Sequence, residues 1–280
     1  VAAADLRVLV LCLFHLTGDR KWLSDRYAPR RDVRLVADPA AGFSPERQHE
    51  IRQATMALMV DGLVPEPVIT DPDPQLFQHM MSFCLGEAVP DEYVPMMLDD
   101  LGFTDEDPCR SPGTEARAEE LDTLIVGAGA SGICLGRQLD RLGIPYTIVE
   151  SNADVGGTWF ENRYPGCGVD TPNHFYSYSF APNPDWRHYF SPRDELYDYL
   201  RACADEFDLR PRIRFETKVT GARWDESTNR WLVTVRGNSR SEAAGSGEVG
   251  PEGEAEEVLT ARVLVSATGH FNQPMAARFP

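Results

Sequence analysis

Leu124-Ile125-Val126-Gly127-Ala128-Gly129-Ala130-Ser131-Gly132, then a helical run to about Arg141, then Tyr146-Thr147-Ile148-Val149-Glu150, is the stretch that decides the fold. It reads as strand, glycine turn, helix and second strand, with an acid closing the unit. The three glycines of G-x-G-x-x-G have separate tasks. Gly127 permits the tight turn, Gly129 lets a pyrophosphate approach the backbone, and Gly132 lets helix and strand pack closely. The helix N-terminus, which carries Ser131, offers free N–H groups and a partial positive charge to phosphate. Glu150 follows Gly132 by 18 residues, near the ~20 expected of an acid that binds ribose hydroxyls. A carboxylate there repels a 2′-phosphate, so the unit should hold the ADP half of FAD or NAD rather than of NADP.

The rest of the 280 residues is enough for two domains with ample core. A net charge of −17 and a pI near 4.7 exclude nucleic acid as an expected partner and argue against an anionic membrane surface. The six cysteines, Cys12, Cys84, Cys109, Cys134, Cys167 and Cys203, show neither C-x-x-C pairing nor zinc spacing. They read as mostly buried thiols of a cytoplasmic protein. The longest apolar run, Val8 to Phe14, is far short of the ~20 residues that span a bilayer. Without a basic leader or a small-residue cleavage site it is not read as a signal peptide. The first residue is Val and the last, Pro280, closely follows a strand, so a piece of a longer protein is expected.

Residues 1–103 read as an all-α accessory or dimerisation domain without chemistry of its own. Leu6, Leu9, Val10, Leu13 and Phe14 keep helical spacing, and Val8, Leu11 and Cys12 on the other faces predict a first helix buried on most sides. Ser44-Pro45 and Asp73-Pro74 each supply an N-cap followed by proline at the first helical position. They start helices over about 45–60 and 74–85 that end at Gly62 and Gly86. A shorter helix over 91–101 presents Tyr93, Met97 and Leu101. His15, His49 and His79 are scattered without ligand spacing, so no metal site is expected. Residues 104–120, rich in Asp, Glu, Pro, Ser and Gly, read as a linker. Residues 121–280 then form the nucleotide-binding domain. It contains a polar-aromatic loop from Phe175 to Phe190 and a helix from Ser191-Pro192 to about Phe207. Period-two strands follow at 213–216, 218–224 and 231–235, then a mobile acidic loop at 237–257 and a buried strand at 261–266 ending in Ala267-Thr268-Gly269.

Three features favour FAD over NAD. Gly156-Gly157 provides a second glycine turn after Glu150, a β-meander with a helix follows, and the Ala-Thr-Gly strand should return beside the first strand. Together these resemble the FAD domain of the glutathione-reductase-like flavoproteins: a three-layer, Rossmann-like α/β fold with a β-meander. A disulfide reductase would need a second cysteine near Cys167, and none is there.

Gly156-Gly157-Thr158-Trp159, Tyr164-Pro165-Gly166 and Asp170 resemble the Baeyer–Villiger monooxygenase fingerprint G-G-x-W-x(4)-Y-P-G-x(3)-D, and Phe175-Tyr176-Ser177-Tyr178-Ser179-Phe180 is similar to that family's continuation. The helical extension is similar to the 4-hydroxyacetophenone monooxygenase branch. The resemblance implies FAD reduced by NADPH, O2 as co-substrate, and oxygen insertion beside a ketone carbonyl to give an ester or lactone. It places Gly127, Gly129 and Gly132 on the pyrophosphate, Glu150 on the adenosine ribose, Thr158, Trp159, Asp170 and Tyr176 along the flavin, and the Val219 backbone at adenine, with Ser131 and Gly157 as further cofactor-binding candidates. Asp170 is the candidate catalytic residue: a carboxylate at the flavin edge can orient an arginine that stabilises developing negative charge. The second dinucleotide fold, its F-x-G-x(3)-H motif and that arginine do not occur among these residues, so an FAD half-site is expected here, with the NADPH site mostly elsewhere. An N- or S-hydroxylating flavin monooxygenase and a non-catalytic FAD-binding or assembly module remain the alternatives.

Overall fold

Caps written into the sequence delimit the first helices. Asp5 accepts from Arg7 N–H to open α1 (Leu6–Thr17), and Gly18 closes it in the left-handed region. Ser44 opens α2 (Pro45–Leu58), and Asp73 opens α3 (Pro74–Leu85), which Gly86 ends. A single 3-10 turn, Asp91–Tyr93, leads into α4 (Val94–Asp100). The computed structural model describes residues 1, 4–34, 38–59, 64–101, 103, 118, 120–237 and 255–270. They divide between two units, Val1–Asp107 and Pro108–Pro280. The expected linker, 104–120, lies almost wholly outside the described residues, as does Gly62; the helix expected to run to about 60 and stop there already ends at Leu58, with Met59 extended. Among those described, no helix is long and apolar enough to cross a membrane, and no His, Cys, Asp and Glu group could hold a metal ion.

In the helical unit, Leu6, Leu9, Val10, Leu13 and Phe14 of α1 pack with Trp22, Tyr27, Phe43, Ile51, Met80 and Phe83. The first helix is nevertheless buried on one side only: Val8 is 53% exposed and Leu11 and Cys12 are half-buried. The reading of α4 was also out of phase. Val94 and Leu98 face inward with Phe77, while Tyr93 and Leu101 are exposed. The 3-10 turn before α4 has three residues per turn, so it shifts the phase that a continuous helix from Asp91 would have.

The second unit is built on a parallel sheet of order β3-β2-β1-β7. Its strands are β1 (Thr123–Val126), β2 (Tyr146–Val149), β3 (Ile213–Arg214) and β7 (Val263–Ser266). Alternate residues of β1 and β2 serve two cores. Ile125 and Ile148 face α5 (Ala130–Leu142) and α7 (Arg193–Glu206), with Ile133, Leu196, Leu200 and Cys203. Leu124 and Val149 face the other way, onto Val233, Val235 and Ala261. The latter belong to an antiparallel meander of β4 (Thr217–Asp225), β5 (Arg230–Gly237) and β6 (Ala255–Ala261). Helices, parallel sheet and meander are thus three layers.

Three strand readings need correction. The stretch read as a strand over 213–216 forms one only at Ile213 and Arg214, which pair in parallel with Ile148 and Val149 of the main sheet rather than with the meander. The third meander strand begins at Ala255, inside the expected acidic loop, and pairs Ala255 through Ala261 with β5; residues 238–254 lie outside those described. The strand before Ala267 does return in parallel beside β1, Thr123 opposite Val263. As the sheet's edge it is half-exposed rather than buried.

Candidate functional site

The site grows from the turn between β1 and α5. Gly127 N–H donates to the Val149 carbonyl, which ties the turn to β2. Gly127 has φ +105, and a Cβ there would lie 2.7 Å from the Ala267 carbonyl oxygen. A Cβ on Gly132 would lie 2.0 Å from the Gly127 carbonyl oxygen, so only glycine lets α5 start this close to the turn. No side chain caps α5. Its first-turn N–H groups, those of Ala130, Ser131 and Gly132, have no preceding helical carbonyl to meet and carry the positive end of the helix dipole. Ser131 is exposed beside them.

The second glycine turn closes on the first. Gly156 N–H donates to the Ala128 carbonyl at 3.0 Å, and a Cβ on Gly129 would meet Gly157 Cα at 3.5 Å. The turn leads into the short helix α6 (Thr158–Glu161). Thr158 is exposed at its start, whereas Trp159 is 7% exposed and packed into the core. The Trp159 indole N–H donates to the Tyr176 hydroxyl at 3.0 Å, with the rings edge to face.

Glu150 is 4% exposed. Its Oε2 accepts from Ala128 N–H at 2.7 Å, and its Oε1 accepts from Asn152 N–H at 2.8 Å and from the Ser151 hydroxyl at 3.3 Å. An ionised carboxylate has about four lone-pair sites, so capacity remains for a ligand hydroxyl. The Glu150 carbonyl accepts from Thr217 N–H at 2.9 Å, which brings the start of β4, and Val219 just beyond it, to the end of β2. The donor set fits the ADP half of a dinucleotide: N–H groups for a diphosphate, and a carboxylate for a ribose.

Gly127, Gly129, Gly132, Glu150 and Gly157 are therefore gathered at one place, with Trp159 and Tyr176 paired beside them. Asp170 stands apart. It is exposed on an open cleft of about 760 Å³ lined also by Arg163, Tyr164, His188, Phe190 and Arg193. Asp170 forms no side-chain hydrogen bond with the other candidates among the described residues, and the Val219 side chain packs on the core of Val233 and Val235. The five described cysteines are all free, but they are not mostly buried as expected: Cys167 and Cys203 are buried, and Cys12, Cys84 and Cys134 half-buried.

Two supports were not found from sequence. Asp154, just before the second glycine turn, accepts from Val155 N–H, from the Tyr197 hydroxyl at 2.6 Å and from Arg210 at 2.9 Å. Burial pushes its carboxyl up, but those three donors outweigh burial and hold it below the usual aspartate range. Asn173, fully buried, donates to the His188 carbonyl and to the Ser191 hydroxyl, and so fixes the loop after Asp170 to the start of α7. Apart from the Val155 N–H next to Asp154, their partners come from distant loops and helices, so no local pattern marks them.

Residues 125–192 match the model of an NAD(P)-binding Rossmann-like domain. An uncharacterised monooxygenase of Sinorhizobium fredii is 33% identical over 276 residues, 97% of this chain and 38% of that protein. A Baeyer–Villiger monooxygenase of Streptomyces coelicolor is 38% identical over 164 residues, 58% of this chain and 28% of that protein. An FAD-binding monooxygenase of Dothistroma septosporum is 42% identical over 119 residues, 42% of this chain and 19% of that protein. The chain is homologous to the Baeyer–Villiger and FAD-binding monooxygenases. It spans less than two-fifths of the length of each of these three monooxygenases. The Sinorhizobium monooxygenase matches through nearly the whole chain, so the helical unit is shared with a monooxygenase as well.

Proposed function

We propose that this chain is the FAD-binding part of an NADPH-using monooxygenase that inserts one oxygen atom of O2 beside a ketone carbonyl, giving an ester or lactone. The observation that carries the reading is the contact of the two glycine turns at Gly129 and Gly157, with the Thr158-Trp159 to Asp170 fingerprint running on from the second turn. FAD, when bound, supplies the redox chemistry between NADPH and O2. This chain's residues bind and orient. The first-turn N–H groups of α5 meet the diphosphate, Glu150 accepts from a ribose hydroxyl, and the Val219 backbone lies toward adenine. Thr158, Gly157 and the Trp159–Tyr176 pair border the flavin and exclude water. Asp170 takes the catalytic part of holding an arginine supplied from outside this chain. The helical unit joins two copies of the protein, and the free thiols fit a reducing cytoplasm.

The test uses the full-length protein that contains this chain. It should purify yellow with FAD, and NADPH oxidation should be coupled to ester or lactone formation across a panel of ketones. Asp170→Ala should keep the flavin and lose about 10²-fold or more of the coupled rate. Absence of flavin would sink the cofactor assignment. Hydroxylamine or sulfoxide products in place of esters would move the protein to the N- or S-hydroxylating alternative.

A further inference from the structure

Tyr178 has no role in the site described so far, yet its side chain reaches the first turn of α5. Its hydroxyl donates to the Ala130 carbonyl at 2.6 Å. Its backbone N–H donates to the Tyr199 hydroxyl of α7 at 2.8 Å, and that hydroxyl donates onward to the Ala181 carbonyl at 2.8 Å. The Tyr178 ring stacks on Phe180 at 4.8 Å between centroids, and Tyr199 packs at 5.9 Å. Burial pushes the Tyr178 phenol far above the usual tyrosine range, so it stays a donor at any working pH.

Two residues earlier, Tyr176 accepts from the Trp159 indole. One three-residue segment is therefore bonded at one end to α6, which follows the second glycine turn, and at the other to α5, which follows the first. The two turns themselves meet at Gly129 and Gly157. The Tyr178 bond is not needed to satisfy the backbone. The Ala130 carbonyl, in the first turn of α5, already faces the N–H four residues on in the helix. The hydroxyl adds a second donor, and what that donor supplies is a fixed distance.

We propose that Tyr178 is a positioning residue for the cofactor site: through the Tyr176–Tyr178 segment it sets the first turn of α5 against the second glycine turn, so that the diphosphate-binding N–H groups are held in place before FAD arrives. The inference rests on the FAD reading above. A preformed site spares the ligand the cost of ordering it, so loosening the strap should appear in affinity.

The experiment is fluorescence titration of FAD into the FAD-stripped full-length protein, alongside the melting temperature of the stripped protein. Tyr178→Phe keeps the ring and leaves the Ala130 carbonyl its helical partner, so the stripped protein should melt close to wild type. FAD affinity should fall about tenfold, the size of one lost hydrogen bond. Trp159→Phe cuts the same segment at its other end, so the double variant should lose less than the sum of the two. A merely structural role would lower the melting temperature and leave the affinity of the folded protein unchanged. Wild type that fails to bind FAD overturns both the functional reading and this inference. Wild type that binds, with Tyr178→Phe equal to it or with strictly additive losses, overturns this inference alone. Should Tyr178→Phe not fold, Tyr199→Phe frees the Tyr178 backbone while keeping its hydroxyl. Unchanged FAD affinity in that variant overturns the inference as well.

Discussion

The Glu150 carboxylate accepts on both oxygens within the fold itself, Oε2 from Ala128 N–H and Oε1 from Asn152 N–H. The spacing from Gly132 marked this acid for ribose binding, and the burial shows a second task, holding the first glycine turn to the end of β2. Glu150→Gln separates the isosteric shape from the charge. A glutamine has one oxygen and one NH2, so one of the two backbone N–H groups must then face a donor in a buried place. That should cost about 1–3 kcal/mol of stability, read as a lower melting temperature of the FAD-stripped protein. FAD affinity, measured well below that temperature, should fall too. If stability is unchanged, the two backbone bonds are not what holds the turn. The same lesson applies to Gly132. Its glycine was readable from the motif, but its reason, a carbonyl oxygen of Gly127 where the Cβ would be, is visible only in three dimensions.

At the scale of elements, local signals mark most helix starts but not every end: α2 stops at Leu58, short of Gly62. The βαβ unit, the N-caps of α2 and α3 and the helix after Ser191 all carry their own signals, in caps, glycines and apolar period. Pairing is not local, and that is where the sequence reading slipped. Period-two alternation at 213–216 shows a strand but not its sheet, and the choice of β2 as partner depends on Glu150 N–H reaching the Arg214 carbonyl. The element that most needs support is the second glycine turn, and α7 supplies it. A Cβ on Gly156 would lie 2.9 Å from the Tyr197 ring, so the turn rests on that ring while Asp154 gathers Tyr197, Arg210 and, at 3.4 Å, Arg201. Because these donors lower the Asp154 pKa, its contribution to stability is full above the ordinary aspartate range and is lost as pH falls through the lowered value. Asp154→Asn should therefore lower the melting temperature at neutral pH, and the gap to wild type should narrow as the solution is acidified below the ordinary aspartate range. A gap that stays constant from neutral to acid would show that the charge plays no part.

For the whole molecule, the two units divide the work unequally. The unit of residues 108–280 carries every proposed cofactor contact, and the helical unit carries none. The helical unit nevertheless keeps apolar side chains in water: Tyr93, Met96, Leu101 and Leu85 are each close to half exposed or more. The exposure of Tyr93, Met96 and Leu101 follows from the phase of α4, whose Val94 and Leu98 take the inward face, a phase not readable through the 3-10 turn; Leu85 is the last residue of α3. These 280 residues carry a net charge of −17, so association through the proposed helical face would rest on apolar contact and should strengthen with salt. The full-length protein is expected to run as a dimer by light scattering, using an interface on the order of 800 Å² per partner. Met96→Glu with Leu101→Glu adds charge to the proposed face without touching the cofactor unit. It should shift the protein toward monomer while FAD stays bound. A wild type that is monomeric at micromolar concentration, or a double variant that remains as dimeric as wild type, would remove the helical unit from the assembly role proposed for it.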